Sequence, residues 1–109
     1  GGLVGVHQFV KIGAYALVGG CSAVAQDVPP FMAAAGVHAK LYGLNLVGLK
    51  RHGFSMERIQ NLKRAYRILF RSKVTLKEAI KKVQEALEMN SDIQDLLKFV
   101  ENSKRGICR

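Results

Sequence analysis

Residues Val4–Pro30, VGVHQFVKIGAYALVGGCSAVAQDVPP, carry the pattern from which the fold is read. Branched apolar side chains recur at every sixth position: Val6, Ile12, Val18 and Val24. The residues that follow them are His7, Gly13, Gly19 and Ala25. A second six-fold series, Val4, Val10, Ala16, Ser22 and Val28, holds small or β-branched residues. An amphipathic helix repeats at three and four and a half-buried strand at two, so a period of six belongs to neither. It fits a hexapeptide parallel β-helix, in which each hexad supplies one short flat strand and one corner. The branched residue points inward and stacks on its equivalents in neighbouring coils, while Gly or Ala beside it lets the backbone turn tightly. The competing reading, a Gly-rich strand pair with accidental spacing, has to explain two six-fold series in phase.

Upstream of the pattern stand only Gly1-Gly2 and Leu3, with no Met, cap or leader. A solenoid needs several repeats or a cap to cover its open edge. We therefore expect these hexads to be the last turns of a longer chain, with Gly1 a cut end.

Downstream, Val28-Pro29-Pro30 ends the hexads, because proline lacks a ladder donor and fixes φ, and strand pairing is expected to stop there. Phe31–Leu46 is broken by Gly36 and Gly43 into loops and a further strand-like passage. Val47–His52 reads as one short helix ending at Gly53, a natural C′ residue. Three amphipathic helices follow. Ser55 is the first N-cap, with Glu57 in the first turn and Ile59, Leu62, Tyr66, Leu69 and Phe70 on one face. Thr75 and Glu78 form a capping box before Leu76, Ile80, Val83 and Leu87, and Ser91 with Gln94 repeats it before Ile93, Leu96, Leu97 and Val100. Gly106 follows the end of the last helix. The three helices are expected to pack as a small bundle beside the β-helix.

The chain has 109 residues, of which 49% are hydrophobic, enough for one compact domain. Its net charge of +9 favours an anionic partner: nucleic acid, membrane or an acidic protein. The absence of Trp weakens a base-stacking surface. The longest apolar run, Ala14–Ala25, is Gly-broken and short of the roughly 20 residues of a membrane span, and no stretch reads as a signal peptide. Cys21 and Cys108 have no metal-like spacing and point to a reducing compartment, with Cys21 expected to be a small buried thiol.

Four segments in order then carry a resemblance: VHQFVKIGAYALVGGCSAVAQDVPPF, GLNLVGLKRHGFS, RSKVTLKEA and the closing KRGI. Together they closely resemble the C-terminal portion of the UDP-N-acetylglucosamine O-acyltransferases, the family that opens lipid A biosynthesis. Hexads alone name only a superfamily; the QDVPPF exit and GLNLVGLKRHGFS are far more specific. The resemblance implies a β-helix plus α fold: the last coils of a left-handed parallel β-helix over 1–30, a connecting passage over 31–54 and a C-terminal helical domain over 55–109. It implies a cytoplasmic homotrimer with active sites between subunits and no metal or organic cofactor. The reaction moves an (R)-3-hydroxyacyl group from acyl carrier protein to the 3-hydroxyl of UDP-N-acetylglucosamine. The family's general base is a histidine on an earlier coil, and none of His7, His38 or His52 matches its motif. No catalytic residue is therefore expected in this stretch, and the stretch alone is expected to be inactive.

The same resemblance suggests roles residue by residue. His7 and Gln8 fall where the family contacts substrate in the intersubunit cleft; from the residues alone His7 reads first as a corner histidine satisfied by backbone, and the resemblance reverses that order. His38 matches a histidine near the acyl and phosphopantetheine path. Gly20 falls at the acyl-chain ruler, with Leu17 lining the same groove. A missing side chain there leaves room for a long chain, and Gly19-Gly20 also simply turns the coil. Asn45, Arg51 and His52 match positions at the nucleotide end, where a guanidinium fork suits a diphosphate. The chain departs from the family at Val47, usually acidic, and at His52, often a stronger base, which leaves open the exact sugar, hydroxy or 3-amino. The basic helix, with Arg58, Arg64, Arg67 and Arg71, suits the acidic carrier protein, or is a solvated face.

Three other functions compete. A nucleic-acid module would explain the charge but not the hexads, and no recognition motif is present. A trimerisation unit and a related hexapeptide N-acyltransferase share the coils, but the QDVPPF exit followed by GLNLVGLKRHGFS argues against the latter.

Overall fold

A computed structural model describes residues 4–109; Gly1 and Gly2, at the expected cut end, and Leu3 lie outside the described residues. Strands β1 (Val4–Val6), β2 (Leu17–Val18), β3 (Ser22–Val24), β4 (Met32–Ala35) and β5 (Lys40–Leu44) come first. Helices α1 (Leu46–Arg51), α2 (Met56–Phe70), α3 (Leu76–Ala86) and α4 (Ser91–Glu101) follow. The fold class is the end of a left-handed parallel β-helix followed by helices.

The pairing register shows the coil. β1 runs parallel to β3 with Val6 opposite Val24, an offset of three hexads. On the next face Ile12 lies opposite Val28, and on the third Leu17 lies opposite Ala33, both two residues short of three hexads. Ala23 lies opposite Val37, four residues short, so the coil tightens as it ends. Gly13 permits the tightening. A Cβ there would stand 2.3 Å from the Pro30 nitrogen, so the proline corner folds into space that a side chain would fill.

Parallel pairing therefore continues past Pro30, where the sequence reading ends it. The prolines sit at a corner, which needs no ladder donor. The donors on either side are used: Val28 N–H donates to the Lys11 carbonyl and Phe31 N–H to the Ala14 carbonyl, each at 2.9 Å. The strand-like passage beyond is also more regular than expected. β5 pairs antiparallel with β4, Met32 opposite Leu44, with a register shift between Ala33 and Ala34.

At this end each of the three faces is covered by a following segment, which pairs the outer edge of the coil strands. β5 covers β4. Residues 36–39 cover β3, with Ala23 N–H donating to the Gly36 carbonyl at 3.0 Å and Ala39 N–H donating to the Ala23 carbonyl at 2.9 Å. The C-terminal residues cover the remaining face, where Asp27 N–H donates to the Gly106 carbonyl at 2.8 Å and Cys108 N–H donates back to Asp27 at 3.0 Å. At the opposite end the first described coil is partly exposed. Val6 and Ile12 are 46% and 43% exposed, whereas Val24 and Val28, one coil on, are 2% and 0% exposed.

Outward corners carry the same six-residue period. Phe9, Tyr15 and Cys21 take left-handed φ values of 67°, 60° and 57°. A non-glycine residue there costs about 1–2 kcal/mol, held by the ladders on either side. The corner turns Cys21 outward, so its thiol is exposed and not buried as the hexad pattern led us to expect. The interior positions are the flanking Ser22 and Val24.

The helices begin at side-chain caps. Ser55 Oγ accepts from Arg58 N–H, and Thr75 Oγ1 accepts from Glu78 N–H, both at 3.2 Å. The last helix is capped one residue earlier than the S-x-x-Q reading. Asn90 Oδ1 accepts from Ile93 N–H at 3.0 Å, and Gln94 Nε2 donates to the Met89 carbonyl at 2.8 Å. Asn is as good an N-cap as Ser, and it leaves Ser91 as the exposed first residue of α4. Ile59, Leu62, Leu69, Val83, Ile93, Leu96 and Val100 bury one face of each helix against a core shared with Val28, Met32, Leu41 and Leu49. Ala65 and Ala79, which are fully buried, allow α2 and α3 to approach closely.

Candidate functional site

The residues singled out in the sequence fall at different corners of the β-helix. His7 and Gln8 follow β1 at the first corner, both exposed. His7 N–H donates to the Val24 carbonyl at 2.7 Å, and its ring Nδ1 donates to the Gln8 carbonyl at 3.0 Å. In the neutral ring this leaves Nε2 as an outward acceptor. One coil further along the same corner are Ala25 and Gln26, and beside them His38. His38 (φ 57°) lines an open groove of about 540 Å³ with Gln26, Lys40, Ile107 and Arg109. His7, Gln8 and His38 therefore share one edge of the prism.

Leu17 and Gly20 belong to another part of the surface. Leu17, on β2, is 51% exposed, and Gly20 lies at the exposed corner that leads through Cys21 into β3.

Asn45, Arg51 and His52 gather around α1, at the corner made by Tyr15. Asn45 caps α1, its Oδ1 accepting from Gly48 N–H at 3.2 Å, and its Nδ2 donates to the Tyr15 carbonyl at 3.0 Å. Gly48 makes this possible, since a Cβ there would meet Asn45 Nδ2 at 2.3 Å. Among the described residues each end of the amide makes one hydrogen bond, of the two that it can make. His52 is the C-cap residue of α1 and Arg51 the last helical one, both exposed. Val47, one turn before Arg51 on the same face, is 63% exposed.

Tyr15 escaped the sequence reading. Its ring stacks on Phe31 with centroids 6.0 Å apart, and meets Phe54 at 5.1 Å and His52 at 5.0 Å edge-on. The one signal available was its register: it stands six residues after Phe9 and six before Cys21, at the outward corner position.

The four arginines of the basic helix divide. Arg58 makes a bidentate pair with Asp92, Nε to Oδ2 at 2.9 Å and Nη2 to Oδ1 at 2.8 Å, and its Cζ lies 3.7 Å over the Phe54 ring. The hydrogen bond to Asp92 holds its pKa above the ordinary arginine value, against partial desolvation. Arg71 donates to the carbonyls of Phe70 at 3.0 Å and Leu41 at 2.7 Å, and lies over Tyr66. Arg58 thus ties α2 to α4, and Arg71 ties the end of α2 to β5. Arg64 and Arg67 are exposed, and Arg64 borders an open groove with Glu57, Asn61, Glu88 and Asn90. Among the described residues no helix is long and apolar enough to cross a membrane.

The short coils, tapering and capped on every face, with polar groups displayed at their corners and a helical domain behind, define a hexapeptide-repeat β-helix protein with a C-terminal helical domain. Residues 27–108 match the model of a family described as Udp N-acetylglucosamine O-acyltransferase, Domain 2. The chain belongs to that family. It is 47% identical over 108 residues to the acyl-[acyl-carrier-protein]–UDP-N-acetylglucosamine O-acyltransferase of Myxococcus xanthus, covering 99% of this chain and 42% of that protein. The protein of the same name from Burkholderia mallei is 47% identical over 113 residues, covering 100% and 43%. Among solved structures, a UDP-N-acetylglucosamine acyltransferase from Bacteroides fragilis superposes with a TM-score of 0.94 at 36% identity over 97% of this chain and 42% of the other. The Arabidopsis UDP-N-acetylglucosamine acyltransferase does so with 0.90 at 38% identity over 97% and 40%. The chain thus spans about two fifths of the length of its relatives.

Proposed function

We propose that this chain is the C-terminal part of a cytoplasmic enzyme that transfers an (R)-3-hydroxyacyl group from acyl carrier protein to the 3-hydroxyl of UDP-N-acetylglucosamine, the first step of lipid A biosynthesis. The observation that carries this reading is the 47% identity along essentially the whole chain to proteins named for that transfer. In the reaction a sugar hydroxyl attacks the thioester carbonyl, a base takes the hydroxyl proton, and the carrier thiol leaves. The base is a histidine outside this stretch. Within it, His7 and Gln8 orient the substrate, and His38 borders the pantetheine path. Leu17 and Gly20 line the acyl groove, where the bare glycine leaves room for a long chain.

Asn45, Arg51 and His52 hold the nucleotide end. Exposed Arg64 and Arg67 steer the acidic carrier protein, flanked by Arg58 and Arg71 whose donors are engaged inward. The proposed division is hexad coils to residue 30, a connecting passage to 54 that carries the last parallel strand pairing, and a helical domain beyond.

The arrangement of the corners favours a homotrimer. The proposed acyl, substrate and nucleotide groups sit at different corners of one prism, so a single ligand meets them when corners of two copies face each other. The exposed apolar residues Phe9 (80%), Tyr42 (72%) and Val47 (63%) suit such an interface.

The test is transfer by the full-length protein from a series of hydroxyacyl carrier proteins to UDP-N-acetylglucosamine and to its 3-amino analogue, read by product mass. An O-acylated product is expected, with long chains preferred and residues 1–109 alone inactive. No transfer from any hydroxyacyl carrier overturns the reading.

A further inference from the structure

We propose that Tyr15 is a positioning residue for the nucleotide end, acting through Asn45 with its backbone and through His52 with its ring. The inference rests on the function proposed above and adds a group to it. Tyr15 occupies a left-handed corner with φ 60°, and that turn aims its ring out of the coil and against α1. Its carbonyl accepts the Asn45 amide at 3.0 Å, so the residue that caps α1 is tied to the β-helix and not to α1 alone. Its ring meets the His52 imidazole with centroids 5.0 Å apart at 66°. Among the described residues no hydrogen bond to a side chain or carbonyl holds that imidazole, so the aromatic contact is what orients it.

The ring is itself held from behind. Phe31 stacks on it at 10°, and Phe54 meets it at 73°. Phe54 lies under the guanidinium of Arg58, and Arg58 is fixed by buried Asp92. A continuous stack thus runs from Asp92 on α4, through Arg58, Phe54 and Tyr15, to His52. An oriented imidazole presents its donor to a diphosphate without first losing rotamer freedom. The neighbouring ring supplies the orientation that no hydrogen bond of the imidazole supplies among the described residues.

The experiment is a double-mutant cycle in the full-length protein, with Tyr15→Leu, Tyr15→Phe, His52→Ala and Tyr15→Leu/His52→Ala. UDP binding is measured by calorimetry, together with KM for the UDP-sugar, KM for the acyl carrier and kcat. Leucine keeps apolar volume against Phe31 and Phe54 while removing the aromatic ring, and phenylalanine tests rescue. Tyr15→Leu is expected to weaken UDP and raise the UDP-sugar KM about three- to tenfold, leaving kcat and the carrier KM unchanged. Tyr15→Phe is expected to match wild type, and the double variant to be no weaker for UDP than His52→Ala. Additive losses in the double variant, a Tyr15→Phe as weak as Tyr15→Leu, or equal damage to kcat and the carrier KM each overturn the inference while wild-type transfer leaves the function standing. Wild type that binds UDP without transferring acyl groups fails the proposed reaction but still reads out Tyr15 through UDP affinity. Wild type that does not bind UDP overturns both.

Discussion

Asp27 and Ser103 meet across 76 positions of sequence, the serine hydroxyl donating to Asp27 Oδ2 at 2.6 Å. Asp27 is 2% exposed, and its other oxygen accepts the Lys11 backbone N–H at 2.8 Å. One carboxylate thus joins two coils to the segment that caps their third face. Asp27→Ala leaves both donors without their partner. Hydrogen bonds to a charged group are worth roughly 1.5–3 kcal/mol each, so the loss of both is expected to cost about 3–6 kcal/mol. Ser103→Ala, which removes one of the two bonds, is expected to cost about 1.5–3 kcal/mol. Denaturation midpoints measure both. Hydrogen exchange at the Cys108 amide, which donates to the Asp27 backbone carbonyl, should rise in Asp27→Ala because the capping segment loses its Ser103 tie.

Arg58 and Asp92 are unequal partners, with side chains 42% and 7% exposed. Removing the arginine strands a buried carboxylate, whereas removing the aspartate leaves a guanidinium that water can reach. Arg58→Ala is therefore expected to destabilise by about 2–4 kcal/mol and Asp92→Ala by less. Chemical denaturation of the two variants checks the order.

Burial pushes the Cys108 thiol up to about 11 from 9.0, with the nearby Asp27 charge adding to the shift. The folded state then holds this proton more tightly than the unfolded chain does. Its contribution to stability is complete below pH 9.0 and is lost as pH rises toward about 11. The difference in urea midpoint between wild type and Cys108→Ala should shrink across that interval. At pH 8 a thiol reagent should label exposed Cys21 and spare Cys108 until the protein is unfolded.

Gly13 and Gly5 should respond differently to a single methyl group. A Cβ at Gly13 meets Pro30 backbone at 2.3 Å, while at Gly5 the nearest atom is the Ser22 carbonyl at 3.9 Å. Gly13→Ala is expected to cost about 1–3 kcal/mol by overpacking, and Gly5→Ala to change the thermal midpoint little. Equal midpoints for the two variants would contradict the tight-corner account.

The six-residue period, the caps at Ser55 and Thr75, the buried stripes of the helices and the family likeness were all legible in the amino-acid sequence. Each rests on residues a few positions apart, and local geometry or repetition writes them into the order of side chains. The cap at Asn90 was missed by one position because Asn and Ser compete as equals there. The continuation of pairing past Pro30 was missed because a corner proline and a strand-ending proline look alike in one dimension. Cys21 looked buried because its small, apolar neighbours hide that it occupies the outward corner.

Tertiary structure alone decided which polar groups serve the frame and which remain available. Arg58 and Arg64 are alike on one basic helix, yet among the described residues only Arg58 pairs with a carboxylate, 34 positions away. Asn45 reaches Tyr15 across 30 positions, and Asp27 reaches Ser103 across 76. Such pairs form only after the coils and helices have packed. Their partners are set by the distance between surfaces in space, which no local spacing records.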